Sequence, residues 1–317
     1  MALTKFNRFA YLAKTEVERQ QVEIFNAATR GGIVLRGGGT NQGDYNDEIY
    51  YAKISGVVRR RNAASSGTVV AKDITQLTAT SVKVASAAGP FNIDPGLWSW
   101  IQRAPSEAGA MIGQQMAVGS LQDKVTAAIK SYCAATLVQT AVVYDYSATG
   151  TLGLNQLVVA AGKFGDRAGD IICWVMHSKV YHDILGAAVT NSNNLFSFGD
   201  VNVVQDGFGR PMIITDATDL VYTDGGTRYR TLGLTAGAIM CEENNDYIEN
   251  VETANGDENI KRTFQAEWSF NLGLKGYQWD KTNGGASPAD AALATGTNWD
   301  KIATDNKDLA GVLIKSQ

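Results

Sequence analysis

The chain has few of the residues that carry most enzyme chemistry. Of its 317 residues, two are histidine (His177, His182) and three are cysteine (Cys133, Cys173, Cys241). Histidines five apart on one short helix point to different faces and make a poor joint metal site. The cysteines are odd in number and form no CxxC pair, so neither a disulfide framework nor a zinc site is expected. They read as small core residues of a reducing compartment. No GxSxG, HExxH or GxxxxGK[ST] pattern occurs. The triple glycine Gly37–Gly39 is followed by Thr40-Asn41-Gln42, without the P-loop lysine, and reads as a hinge. No apolar run approaches the ~20 residues of a membrane helix. The first twenty residues mix charges among apolar side chains and do not read as a secretory signal. Prolines number 5 against 33 glycines, which suggests turns and flexible joints rather than rigid linkers.

The charge balance excludes a further class. With 28 Lys and Arg against 32 Asp and Glu, the net charge is −4. Domains that wrap nucleic acid tightly are usually basic. A protein that only encloses nucleic acid remains compatible. Apolar residues at 44% and charged residues at 19% allow a sizeable core.

What is present is organised around residues Ala104–Val138. Apolar side chains recur at Met111, Ile112, Met116, Leu121, Val125, Ala128, Ile129 and Tyr132, which is helical spacing. Gln114, Gln115, Gln122, Asp123, Lys124 and Lys130 form the opposite, polar face. Pro105 marks the start, Ser106 is the expected cap, and Glu107 suits the positive end of the dipole. Such a helix is on the order of 50 Å long, with a bend expected near Gly113 or Gly119. It needs a sheet or a partner laid along it.

Before it, residues 3–28 read as a helix with an imperfect apolar face, an arm that orders against something else. Residues 45–90 have short β-branched pieces (Ile54–Val58, Thr68–Ala71, Ser81–Ala85) separated by Ala, Ser and Gly. They cannot bury much by themselves and read as a projecting loop, partly a hairpin, that carries Arg59-Arg60-Arg61. Asp94-Pro95-Gly96 reads as a turn, with Trp98 and Trp100 as an anchor. After the spine, strand-length apolar runs alternate with short helices: Leu152–Phe164 helical, Asp170–Met176 a buried strand, His177–Leu185 helical, then Val201–Val204, Pro211–Thr215 and Leu220–Tyr222 as strands around a turn at Asp206–Arg210. That alternation predicts an α/β lobe. Gly233–Glu243 reads as one strand. Tyr247–Thr253 and Arg262–Leu274 form a long hairpin around Asn255-Gly256, with Phe264, Ala266, Trp268, Phe270, Leu272 and Leu274 on one face. The tail from Asn283 is polar, anchored by Trp299, Leu309 and Val312–Ile314.

No catalytic constellation is visible. The acidic cluster Glu242, Glu243, Asp246, Glu249 and Glu252 lacks the spacing of a calcium loop and reads as a solvated or intersubunit face. An α/β enzyme would have to pair carboxylates among Asp166, Asp170, Asp183 and Asp206.

Four stretches carry a resemblance: SGVVRRRNAASSGTVVAKDITQLTATSVKVA, FNIDPGLWSWIQRAPSEAGAMIGQQMA, IICWVMHSKVYHDIL, and KGYQWD followed by ASPADAALATGTNWDKIAT and LAGVLI. In this order they resemble the major capsid protein of tailed double-stranded-DNA bacteriophages, a fold shared with herpesvirus capsid floors and encapsulins. The resemblance implies an α+β fold. Its parts would be an N-terminal arm (1–44), an extended loop (45–88), a peripheral domain with the spine helix (89–144), an axial domain (145–231), the hairpin half of the peripheral domain (232–282) and a C-terminal segment (283–317). It implies a non-enzymatic shell protein without cofactor or metal. Its partners would be its own copies in pentamers and hexamers, a portal protein, and scaffold or decoration proteins. It would be found in the virion, assembled in the host cytoplasm around DNA that it does not read. Under this reading Arg59, Arg60, Arg61, Glu242, Glu243 and Glu249 are candidates for intersubunit contacts, and Gly37, Gly38, Gly39 and Gly89 for hinges. An encapsulin-like cargo shell is the nearest alternative.

Overall fold

One strand, β11 (Lys261–Leu274), organises the first of two main sheets in a computed structural model that describes residues 2–39, 41, 43–52, 58–190, 209–256 and 258–317. Phe264, Ala266, Trp268, Phe270, Leu272 and Leu274 are all buried, as their alternation predicts. The first half of β11 pairs with β10 (Ile248–Ala254) and the second half with β9 (Ile239–Asn244). Its other edge takes β3 (Gln76–Asn92). β1 (Ile33–Gly39) extends the sheet beyond β9, and β2 (Tyr45–Tyr51) extends it beyond β3.

The spine is α3, an unbroken helix over Pro105–Leu137. Ala104 occupies the capping position and no side chain caps it; Ser106 lies inside the helix. The Asp94-Pro95-Gly96 stretch is not a free turn. It starts a separate helix, α2 (Pro95–Arg103), where the Asp94 carboxylate accepts from the Leu97 N–H at 2.6 Å. Amphipathicity describes only the first half of α3. From Ala127 to Thr136 every residue except Lys130 is buried, so this half is covered on all sides. Tyr132 lies at its centre, its hydroxyl 3.1 Å from the Gly233 carbonyl and 3.0 Å from that of Val312.

Those carbonyls belong to the second sheet. Its order is β4 (Val143–Asp145), β14 (Gly311–Ser316), β8 (Thr227–Thr235), β5 (Ile171–Met176) and β6 (Met212–Ile214), with β7 (Val221–Thr223) also on β8, while β12 (Tyr277–Trp279) and β13 (Trp299–Lys301) pair with each other. The helices α4 (Leu154–Ala161) and α5 (Ser178–Thr190) connect it. The strand expected at Val201–Val204 lies outside the described residues, as does most of the turn at Asp206–Arg210.

Two expectations change. Gly233–Glu243 is two strands: β8 ends in the second sheet at Thr235, Gly237 turns at φ 63, and β9 starts in the first sheet at Ile239. The lobes therefore exchange at 235–239 rather than at 231. The C-terminal segment is not a separate part either, because β14 runs between β4 and β8. Its Val312, Leu313 and Ile314 are all fully buried, a pattern that only a strand covered on both faces supports. Cys133, Cys173 and Cys241 are buried free thiols, which burial pushes up to about 12.

Candidate functional site

The N-terminal segment finds its partner within the chain. The helix α1 (Ala2–Ala28) lies along α3, burying Phe6 and Ala10 against Ala108, Met116 and Phe264. The approach is close because Gly109 and Gly113 face it. A Cβ at Gly109 would lie 2.5 Å from the Phe6 carbonyl oxygen, and one at Gly113 would lie 2.3 Å from that of Ala10. Gly113 therefore serves contact, while Gly119 faces open space.

Four charges close this seam. Lys14 donates to Glu18 at 2.8 Å and to Glu243 at 3.1 Å; Lys124 pairs with Glu18 and donates to Glu243 at 3.0 Å. Ser120 donates to Glu18 at 3.0 Å. The Lys14 ammonium also stands 5.1 Å from the centre of the Trp268 ring and 5.3 Å from that of Tyr247. Lys14 and Lys124 are each 3% exposed and Glu18 is 5% exposed. Burial alone would raise the Glu18 carboxyl, but the Lys124 and Lys14 ammonium groups outweigh it and hold the acid below its usual range. Burial alone would lower Lys14; the Glu18 and Glu243 carboxylates raise it instead. Lys124 thus leaves the polar face assigned to it. Glu243, a candidate for intersubunit contact, is taken up inside its own chain. The available signal was the Lys14/Glu18 spacing of four, together with one lysine in a stretch of small and apolar residues.

The projecting loop is the opposite case. Its base is regular, with β2 and β3 paired from Tyr45↔Val82 to Tyr51↔Gln76. Residues 58–75 then form no strand and are exposed throughout. The strand expected at Thr68–Ala71 is absent, Ser81–Ala85 falls inside β3, and most of Ile54–Val58 lies outside the described residues. Val58 is 92% exposed and Val70 is 89% exposed. Arg59, Arg60 and Arg61 are exposed and form no ion pair with a described residue.

The other candidates disperse. Glu242 is half-buried on the sheet face opposite the spine. Glu249 accepts from the Tyr247 hydroxyl at 2.7 Å, and burial raises its carboxyl. Asp246 pairs with Lys83 at 3.1 Å. Among the described residues no group of three His, Cys, Asp or Glu could hold a metal ion. Gly39 and Gly89 lie inside strands, where a Cβ would meet Asn244 Oδ1 at 2.9 Å and the Phe264 carbonyl at 2.6 Å respectively. Close approach accounts for both. Gly37 and Gly38 face open space. Asp166, Asp170 and Asp183 are each in a separate ion pair, with Lys307, Arg167 and Lys179, and Asp206 lies outside the described residues. His177 stands 3.5 Å from Asp216, while His182 lies on α5 against Tyr181.

A long spine helix on a sheet, a second α/β lobe and an exposed loop make up the fold. The family described as Major capsid protein 13-like matches residues 2–313. The chain belongs to this family. It is a phage capsid protein that forms shells from copies of itself. The fold is that of tailed-phage capsids. It is similar to the capsid asymmetric unit of cyanophage Pam1 at 11% identity, over 87% of this chain and 85% of that one, with a TM-score of 0.50. It is also similar to the head structure of the Helicobacter pylori bacteriophage KHP40 at 10% identity, over 90% and 88% of the two chains, with a TM-score of 0.50. No curated protein matches the capsid protein's sequence. No helix among its described residues is long and apolar enough to cross a membrane.

Proposed function

We propose that this capsid protein encloses double-stranded DNA without reading its sequence, and that its role is structural rather than catalytic. The observation that carries the reading is the asymmetry between a well-buried body and a loop, residues 58–75, that is exposed along its whole length and joins no strand among the described residues. The second sheet and its helices would meet their copies around five-fold and six-fold axes. The loop would lie over an adjacent subunit and bring Arg59, Arg60 and Arg61 to a neighbour's carboxylates, with Glu242 and Glu249 as candidates. Gly37 and Gly38 would allow small adjustments between non-identical positions. A net charge of −4 suits a wall that does not hold DNA against itself. Assembly would take place in the host cytoplasm, with a portal protein at one vertex and scaffold or decoration proteins as further partners. Each contact can be weak, because closed symmetry multiplies it.

Sedimentation and negative-stain microscopy of the purified chain test the reading. Rings of five or six, or hollow shells, are expected. A chain that stays monomeric or dimeric at high concentration would overturn it.

A further inference from the structure

We propose that Asn255-Gly256, at the tip of the long hairpin, is a self-modification site: its asparagine amide converts to aspartate and isoaspartate without an enzyme, and the fold withholds the same reaction from Asn283-Gly284. The site lies within a single copy, so the inference stands apart from the shell reading. Asn-Gly occurs twice in the chain, at these two places. The reaction asks three things of such a pair. The asparagine side chain must be free to turn, the glycine nitrogen must be free to attack it, and the backbone between them must be able to move.

Asn255-Gly256 meets all three. The strand register of the hairpin ends at Ala254↔Lys261, so both residues lie beyond the last paired position. Both are exposed. Neither the Asn255 side chain nor the Gly256 N–H forms a hydrogen bond with a described residue. Gly256 holds φ 120, a conformation that favours glycine, and a Cβ there would meet nothing within 4 Å. No described neighbour shields its nitrogen.

Asn283-Gly284 has the same two residues in a different setting. The Asn283 side-chain amide donates to the Asp280 carboxylate, and the Asn283 backbone N–H donates to the same carboxylate at 3.2 Å. The Gly284 N–H, which would have to attack, is given to the Asp280 carbonyl at 2.9 Å. Gly284 also lies against the Trp279 ring, where a Cβ would stand 2.3 Å from Cζ2. Trp279 is buried, and its indole N–H donates to the Gly285 carbonyl at 2.9 Å. These contacts must open before Asn283 can react.

The step balances with water as its co-reactant. The Gly256 nitrogen bonds to the Asn255 Cγ, the Cγ–Nδ2 bond breaks, and ammonia leaves with the proton that the Gly256 nitrogen gives up. Water then opens the cyclic imide. Opening at Cγ gives aspartate; opening at the backbone carbonyl carbon gives isoaspartate, whose main chain runs through the former side chain. No electrons are transferred. Either product takes the net charge from −4 to −5, on a hairpin whose sequence already carries Glu252, Asp257 and Glu258.

Peptide mass spectrometry of the full-length chain, held folded in warm, mildly alkaline buffer for increasing times, tests this. The peptide with Asn255 should gain about 1 Da and become a substrate for isoaspartyl methyltransferase labelling. The peptide with Asn283 should gain it at least about tenfold more slowly. In guanidinium chloride the two should react at similar rates, because both pairs then lose their surroundings. Asn255→Gln should remove the early gain and leave the Asn283 rate unchanged. Asp280→Ala frees the Asn283 amide and should speed Asn283 by at least about threefold, with Asn255 unaffected. The comparison of the two sites within the parent chain needs no variant, so it stands even where Asp280→Ala melts early. A folded chain that gains nothing at Asn255 over the time in which the unfolded chain reacts would overturn the proposal. Equal rates at the two sites in the folded chain would overturn it as well, since the fold would then not choose between them. An unchanged Asn283 rate in a folded Asp280→Ala chain would do the same.

Discussion

The helix at residues 2–28 and the loop at residues 58–75 are both too poor in core residues to fold alone, yet the chain treats them oppositely. The helix α1 is received by the spine through two glycines and by a seam of three buried charges closed by the half-buried Glu243 of β9. The loop is exposed along its whole length and pairs with no strand among the described residues. Scarcity of large apolar side chains therefore does not mark a segment as outward-reaching. What separates the two is whether the chain supplies a complementary surface. The spine offers small residues where α1 crosses it and a lysine where α1 brings a glutamate.

The largest effect should come from breaking the charge seam on one side only. Glu18→Leu leaves Lys14 and Lys124 buried beside a single carboxylate, and should destabilise the chain by about 3–5 kcal/mol. The urea midpoint at an unchanged m-value reads this out. Replacing all four charges together, K14M/E18L/K124M/E243L, should recover most of the loss, because no charge is then left unpaired. A single substitution costing under about 1 kcal/mol, the range of exposed pairs, would mean that the seam is wetter than its geometry indicates.

A smaller effect separates two glycines on one helix. Gly113→Ala drives a methyl group into the Ala10 carbonyl and should cost about 1–3 kcal/mol. Gly119→Ala meets open space and should stabilise by up to about 1 kcal/mol. Equal effects at the two sites would remove the close-approach argument for α1.

Acid should loosen the helix before it alters the loop. The native Glu18 acid lies below its ordinary value of 4.5, so its contribution is present above that value and lost as pH falls through the native one. Lys14 lies above its ordinary 10.5, so its contribution is present below that value and lost as pH rises through the native one. Both contributions are therefore present across neutral pH. Amide exchange in residues 2–28, corrected for intrinsic rate, should speed up only below about pH 4. Faster exchange already at pH 6 would point to a different titrating group.

Much of this arrangement was legible in the residues. The alternation along β11, the apolar run of β5 and the periodicity of the first half of α3 each follow from one side chain's relation to its near neighbours. What was not legible depended on pairs far apart in the chain. Lys14 and Glu243 are separated by 229 positions, and no local period announces their meeting. Val312–Ile314 was visible as an apolar anchor, but its seat between β4 and β8 was not. The split at Gly237 was hidden because apolar residues flank the turn on both sides. At the candidate assembly surface, the exposed arginines were legible as a charge run on a loop. The withdrawal of Glu243 into the body was not, because it depends on where α1 docks.

The smallest effect on stability should be the loop's own. R59E/R60E/R61E touches no described partner, so unfolding of the unassembled chain should shift by no more than about 0.5 kcal/mol. Proteolysis sharpens the contrast with α1. In unassembled protein, trypsin should cut first within Arg59–Arg61, because an exposed segment without strand pairing needs little local opening before cleavage. The seam lysines Lys14 and Lys124 should resist under the same conditions, since reaching them requires α1 to leave the spine. In shells the Arg59–Arg61 cut should slow sharply if a neighbour covers the segment, while cleavage near Lys14 should barely change. Equal cutting at Arg59–Arg61 before and after assembly would mean that the loop stays uncovered in the shell, and the difference between the two segments would then lie in their sequences rather than in the partners they meet.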